Sequence, residues 1–520
     1  MMRRATRYCL HITTFIWIIG CGSGLPTDAR QIAQPPQISP DYTGTVIPPN
    51  IAPLNFAIEE KGDDFVAHIT GYAGDAIVVR SRTGDIRIPE DDWKTLLAHN
   101  KGKILSFVVY VFKQHRWHRF KAIQNRVAEE SIDSHLVYRW MRSLHHFHER
   151  FYIVERSLDS FHEKTVLDNK SIGGGCMNCH TFLNGHTDTM TYQIRSSEFG
   201  LPMVLVQENT VTPVNTRTAG FSTSPAAFTS WHPSGELIAF SVNKVSPFEH
   251  TVGQTRGEWD DNSDLAVYHV AENRVTSNLG ISDPSRRESW PAWSADGKRL
   301  YFSSAPKLPR TEFRKVRYDL MQISFDSESE EWGSPQVLIS SDEAEMSLVE
   351  PRVSPDGKWV VFCGCEYGHM ACFLKSSDLY VLNTDTGKHH ELNINSRFSE
   401  SWPSWSSNGR WIMFVSKRRD GLMSHVYFSY FDKNGQAHKP FILPQEDPRY
   451  YDSCAKTYNR PELAVEPIQI TGSDLAKGIC NPETKREPPK AFDRAVTKPS
   501  NAASGNESWR PVAEKSRGAH

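Results

Sequence analysis

Ser289–Ala305 reads SWPAWSADGKRLYFSSA, and three other stretches repeat its pattern. They are Phe228–Asn243 (FTSWHPSGELIAFSVN), Val349–Cys365 (VEPRVSPDGKWVVFCGC) and Ser401–Lys417 (SWPSWSSNGRWIMFVSK). Each copy is an aromatic or apolar strand, a Ser-Pro-Asp-Gly-like turn, and a second alternating run with Phe near its end. Asp-Gly and Asn-Gly turns between alternating runs are the strongest local hairpin signal, because these residues tolerate positive φ. By subtraction, the turn glycines Gly235, Gly297, Gly357 and Gly409 stand 62, 60 and 52 residues apart. Second hairpins lie between the copies, in Ser263–Leu279 (SDLAVYHVAENRVTSNL) and Asp378–Asn393 (DLYVLNTDTGKHHELN). Two hairpins per period make a four-stranded unit, and such units repeated radially make a β-propeller. Tyr192–Thr216 supplies outer strands of one more unit, so five or six blades are expected over 191–465 in an all-β chain.

The rest of the chain divides around that repeat. At 520 residues it exceeds one ordinary core. The formal net charge of −2 favours no polyanion, so nucleic acid is excluded as a partner. The start, MMRRATRY followed by CLHITTFIWIIG, is a basic region and a short apolar run, which reads as an export signal. Cys21 follows Ile18, Ile19 and Gly20 in a lipobox-like arrangement, so residues 1–20 are expected to be a lipoprotein signal peptide and Cys21 the lipidated anchor. Residues 21–41 read as a flexible tether. Residues 42–135 read as an antiparallel β-sandwich-like domain with a short helix after Pro89, residues 136–190 as a helical connector, and residues 466–520 as a disordered tail.

The connector ends in GGGCMNCHTF, Gly173–Phe182. Two cysteines with a two-residue spacer suit the two vinyl groups of a haem, and the following histidine falls beneath its iron. With 9 Cys and 21 His in 520 residues, chance predicts only about 0.006 such motifs. A zinc site wants a second pair at ligand spacing, and Cys363 with Cys365 is CxC in a strand pattern. A thioredoxin-type pair wants a βαβ context that is missing. Cys176 and Cys179 are therefore expected to tether one haem c and His180 to ligate its iron. Met190, His186 and the histidines His145, His146 and His148 are candidates for the sixth position. Export leaves Cys363, Cys365, Cys372, Cys454 and Cys480, an odd number whose pairing the sequence does not give.

The turn SPDGKWVVF (Ser354–Phe362) and its relatives resemble the TolB-like propeller family over roughly residues 190–445. Asp41–Phe56, Gly173–Phe182, Ser230–Lys244 with the following Glu249-His250, and Leu443–Glu462 together resemble bacterial exported TolB-like proteins carrying one CxxCH. That resemblance covers most of 40–465 and implies one covalent haem between the N-terminal domain and the first blade. It also implies a distal Met, matched by Met190, or a distal His, matched by His250 on a long loop folding over the haem. The acidic stretch EWDDNSD (Glu258–Asp264) reads as a solvated loop.

These readings converge on an exported, lipid-anchored monohaem cytochrome, periplasmic or at the cell surface. It would pass single electrons to a redox partner or cell-envelope protein at the propeller face. Two alternatives stand beside it: a haem enzyme acting on peroxide or a small nitrogen or sulfur compound, and a binding scaffold with structural haem. Fold alone does not choose among them.

Overall fold

The computed structural model describes residues 24–142, 150–196, 198, 200, 202–218, 221, 224–248, 257–481, 483 and 486, without the side chains of Arg142, Asn178, Cys179, Pro247 and Phe248. Among these residues the chain is all-β, with a few short helices. Six sheets follow one another from His135 onward, each an antiparallel meander. Their inner strands are Lys456–Ala464, Cys176–Leu183, Ala226–Trp231, Arg286–Trp293, Ser347–Val353 and Glu400–Trp405. Each inner strand touches the next in that order, and the last returns to the first, so the contacts run in a circle. The architecture is a β-propeller. Apolar layers between successive sheets hold it together, as where Met203, Leu205 and Val214 pack on Ile238, Phe240 and Tyr268. A strand such as Trp411–Ser416 is buried along its whole length, which is why it reads as one continuous apolar run.

The circle is closed by the two ends of the repeat region. Lys456–Ala464 pairs antiparallel with His135–Arg142, which pairs in turn with Phe151–Ser157 and then Glu163–Asp168. The expected helical connector over 136–190 is therefore wrong: its described residues are mostly strands with one 3-10 turn at Asn169–Ile172, and the propeller begins at His135, not 191. HLVYRWMR is rich in β-branched and aromatic residues that fit a pleated, half-buried surface. One of its two partner strands, Lys456–Ala464, lies some three hundred residues away, so no local pattern announced how the sheet is completed.

Two other boundaries move. Ala29–Ile32 pairs parallel with Arg116–Phe120, and Ile38–Ser39 pairs with Phe56–Ile58, so the expected tether 21–41 is partly structured. Gly472–Cys480, expected to be disordered, is a helix capped by Thr471, whose hydroxyl accepts from the Asp474 amide at 3.1 Å. It buries Leu475, Ala476 and Ile479 in the layer formed by the first two sheets. The tail beyond Arg486 lies outside the described residues.

The N-terminal unit has a seven-stranded sheet around Ile104–Lys113 and a three-stranded sheet of Ile38–Ser39, Phe56–Ile58 and Asp85–Ile86. Two of its pairings are parallel, a departure from the expected antiparallel arrangement. The helix after Pro89 is present as Glu90–His99 and buries Trp93, Leu96 and Leu97. This unit docks under the last sheet of the ring. Asp133 accepts from the Ser407 amide at 2.8 Å, and the Trp411 indole donates to the Glu130 carbonyl at 3.2 Å.

Candidate functional site

The CxxCH motif lies on the inner strand Cys176–Leu183, at the heart of the second sheet. Its three glycines have local structural uses. Gly173 and Gly174 take φ of +72° and +75° at the end of a 3-10 turn, and a Cβ on Gly175 would meet the Arg195 carbonyl at 2.6 Å. The strand then pairs with His186–Arg195, and the register slips between Met177 and His180. Three steps on one strand match two on its partner, which places a β-bulge at Asn178-Cys179.

That bulge is one of a set. The register slips at the same place in the inner strands through Phe228-Thr229, Trp290-Pro291, Glu350-Pro351, Trp402-Pro403 and Arg460-Pro461. The first residue of each of these five pairs has a positive φ, between +43° and +59°. Such backbone costs a non-glycine residue on the order of 1–2 kcal/mol and persists only where packing enforces it. Here it turns the side chain out of the strand's alternation and onto the propeller axis. Residues from well-separated sheets meet there. The Phe228 and Trp290 rings stack at 3.6 Å, Trp290 and Trp402 stand 5.2 Å apart, and the Arg460 guanidinium lies over the Trp402 ring at 5.8 Å. The CxxCH is thus the second sheet's version of a bulge that elsewhere aims a side chain at the centre.

His180, immediately after the bulge, is fully buried. Its Nε2 lies 3.2 Å from the Val137 carbonyl oxygen, and its Nδ1 is buried with no partner among the described residues. Burial, with Arg460 and Arg139 nearby, pushes its pKa down to about 3, so the ring is neutral. Cys176 is half-buried, its sulfur not in a disulfide. The strand is braced by two paired strands of the first sheet. Arg139 donates to the Met177 carbonyl at 2.8 Å, and Glu462 accepts from the Thr181 hydroxyl at 3.0 Å and the Phe182 amide at 3.2 Å.

The other predicted residues scatter. Met190 is fully buried opposite Phe182, one pair along from the Thr181–Thr191 pair and two from His180–Tyr192. Its sulfur accepts from the Tyr192 hydroxyl at 3.1 Å. Met190 and His180 share one face of a hairpin, side by side. His186 is exposed and sits 3.2 Å from Glu466. His250, His145, His146, His148 and Cys21 lie outside the described residues. The loop expected to carry His250 is largely a long hairpin of Leu237–Phe248 with Gly257–His269. Its acidic stretch is not a solvated loop, since Asp260 is buried and accepts from the Asn243 amide at 2.8 Å. Cys363, Cys365, Cys372, Cys454 and Cys480 are all free thiols.

Sequence reading missed Glu350, Arg460 and Glu462. Their signal was present: Arg460-Pro461 stands in its strand where Trp290-Pro291 and Trp402-Pro403 stand in theirs, and aligning the last strand with the repeat would have found it. Two cavities, of about 570 Å³ beside Lys375, Asp378 and Arg397 and about 540 Å³ between the Gly472–Cys480 helix and Glu163–Asp168, do not include His180 in their lining.

No family model matches this chain, and no curated protein does. Solved structures of similar fold include hydrazine synthase from Kuenenia stuttgartiensis, 13% identical over 51% of this chain and 67% of that one, with a TM-score of 0.29. Prolyl oligopeptidase B from Galerina marginata is 12% identical over 52% of this chain and 38% of that one, at 0.32. The Cps50 (Swd1) β-propeller domain from Myceliophteria thermophila is 11% identical over 52% and 89%, at 0.27.

Proposed function

We propose that this chain is an exported, lipid-anchored electron-transfer protein in which a six-bladed, TolB-like propeller carries one covalent haem c. The cyclic contacts of six inner strands support the blade count, and the Ser-Pro-Asp-Gly-like turns support the likeness to TolB. The observation that carries the haem reading is the state of His180. One ring nitrogen is held at a backbone carbonyl while the other is buried with its lone pair unclaimed. A metal-bound imidazole is neutral, with one nitrogen on the metal and the other N–H oriented by a carbonyl; here the carbonyl faces Nε2, and Nδ1 is the nitrogen left for a metal. The residues therefore fit the group: His180 would ligate the iron, and Cys176 and Cys179 would form the thioether bonds. When bound, haem c supplies a one-electron couple.

The chain's own residues set the conditions around that couple. Arg139 and Glu462, on two paired strands of the first sheet, fix the strand from that neighbouring blade, so the imidazole is oriented before anything binds. Aromatic side chains plug the axis, which excludes water from the middle of the ring and leaves the propeller faces, not a through-channel, to meet a redox partner or cell-envelope protein. Met190, whose sulfur accepts from the Tyr192 hydroxyl, or His250 would complete the iron's ligand set. Cys21 would hold the protein at a membrane from the periplasmic side or the cell surface.

The test is an absorption spectrum of protein made with a cytochrome c maturation system, then treated with alkaline pyridine. A covalent c-type haemochrome in one-to-one ratio is expected, with attachment lost in a Cys176→Ala, Cys179→Ala double variant. Absence of bound haem, with both cysteines titrating as free thiols, overturns the reading and leaves a propeller scaffold.

A further inference from the structure

The axial cluster has an electrostatic imbalance at Arg460. The residue is 5% exposed, and its Nη2 donates to the Thr229 carbonyl at 3.3 Å. Nε and Nη1, which carry three of the five guanidinium N–H bonds, have no acceptor among the described residues. No carboxylate of the described residues forms an ion pair with it. Glu462 is taken up by the neighbouring strand, and Glu350 gives one oxygen to the Trp402 amide at 2.6 Å and the Cys363 thiol at 3.4 Å. The second Glu350 oxygen is also buried without a partner. Burial pushes the Glu350 pKa up to about 7, so near neutrality it offers a hydroxyl donor as much as a competing charge. A guanidinium does not lose its proton; the charges of Glu462 and Glu350 reach it, but neither carboxylate accepts from its free N–H groups, and buried donors without acceptors are unfavourable.

We propose that the propeller axis is a binding site for a small oxyanion, a carboxylate group, seated on the free N–H groups of Arg460. The bulges make this a built site. Arg460 and Glu350 occupy the same position in their inner strands as Trp402 and Phe228, and the four side chains converge from different blades. The aromatic faces exclude water and raise the worth of each charge-assisted hydrogen bond. Arg460 belongs to the strand that contacts Cys176–Leu183, so the carboxylate has two possible sources. It is either a free anion or a side-chain carboxylate of the haem proposed above, and the site itself does not depend on that haem.

The experiment is thermal unfolding of the full chain at constant ionic strength, titrated with formate, acetate or inorganic phosphate. It uses two forms, the haem-free Cys176→Ala, Cys179→Ala variant and the haem-loaded protein. In the haem-free form, formate or acetate is expected to raise Tm by about 2 °C per tenfold concentration once above its dissociation constant. Arg460→Met should abolish that slope. Should that variant fail to fold, Arg460→Lys, which keeps the charge but loses the fork, should shift the titration at least tenfold to higher concentration. A carboxylate response in both forms identifies a free anion, and a response only in the haem-free form identifies the haem's carboxylate as the occupant. A flat titration in the haem-free form, or an unchanged slope in the Arg460 variants, overturns the proposal.

Discussion

Replacing Glu350 with Gln is expected to stabilise the protein, and the gain should grow as pH rises. The Glu350 side chain is fully enclosed, with one oxygen accepting from the Trp402 amide at 2.6 Å and the other unpartnered. Burial raises its pKa from 4.5 to about 7, against smaller opposing effects of the Trp402 and Cys363 hydrogen bonds and of Arg352 and Arg460. The folded state therefore keeps a proton that the unfolded chain gives up above pH 4.5, and stability falls as pH rises from 4.5 through 7. A shift of that size corresponds to roughly 3 kcal/mol once both pKa values are passed, and to about 1 kcal/mol at pH 5. Gln keeps the acceptor for the Trp402 amide and cannot ionise. Urea unfolding of both proteins at pH 5 and pH 8, followed by tryptophan fluorescence, should show the stability gap widening from about 1 to about 3 kcal/mol. A gap that is the same at both pH values, or a variant less stable at pH 8, would refute burial as the dominant influence on this carboxyl.

Trp290→Ala removes a fully buried ring stacked on Phe228 and leaves the His369 carbonyl without its 2.8 Å indole donor. It should lower stability by about 3–5 kcal/mol in denaturant unfolding, because the residues facing the axis come from different blades and cannot all collapse into the gap. Among the repeat turns, Gly297→Ala should cost distinctly more than Gly357→Ala, although their φ angles are +71° and +72°. A Cβ at 297 would fall 2.2 Å from His232 Nε2, whereas at 357 its nearest contact is Ala295 at 3.6 Å. A pair of thermal melts decides this, and equal losses would mean that φ alone sets the cost.

Much of the ring was legible locally. The turns at Gly235, Gly297, Gly357 and Gly409 each carry the φ that Asp-Gly-like hairpins demand, and hairpin geometry depends on a handful of adjacent residues. The Glu90–His99 helix was legible for the same reason. His180 was singled out because CxxCH is a short pattern with one dominant chemistry. What stayed hidden needed partners far along the chain. HLVYRWMR read as helix although it pairs locally with Phe151–Ser157, and the strand that completes its sheet, Lys456–Ala464, comes some three hundred residues later. Ala29–Ile32 read as tether because its only sheet partner among the described residues is Arg116–Phe120.

The sequence by itself determined the repeat unit, its turns and the presence of a motif suited to a covalent cofactor, since each of these is set by near neighbours. Only the tertiary structure decided how the ring closes, that the motif occupies the same bulge position as Trp290, Glu350, Trp402 and Arg460, and that those side chains face one another. Burial, unpartnered atoms and the balance of charge around Arg460 and His180 exist only when strands from separate blades converge on one axis. No single stretch of chain contains that information.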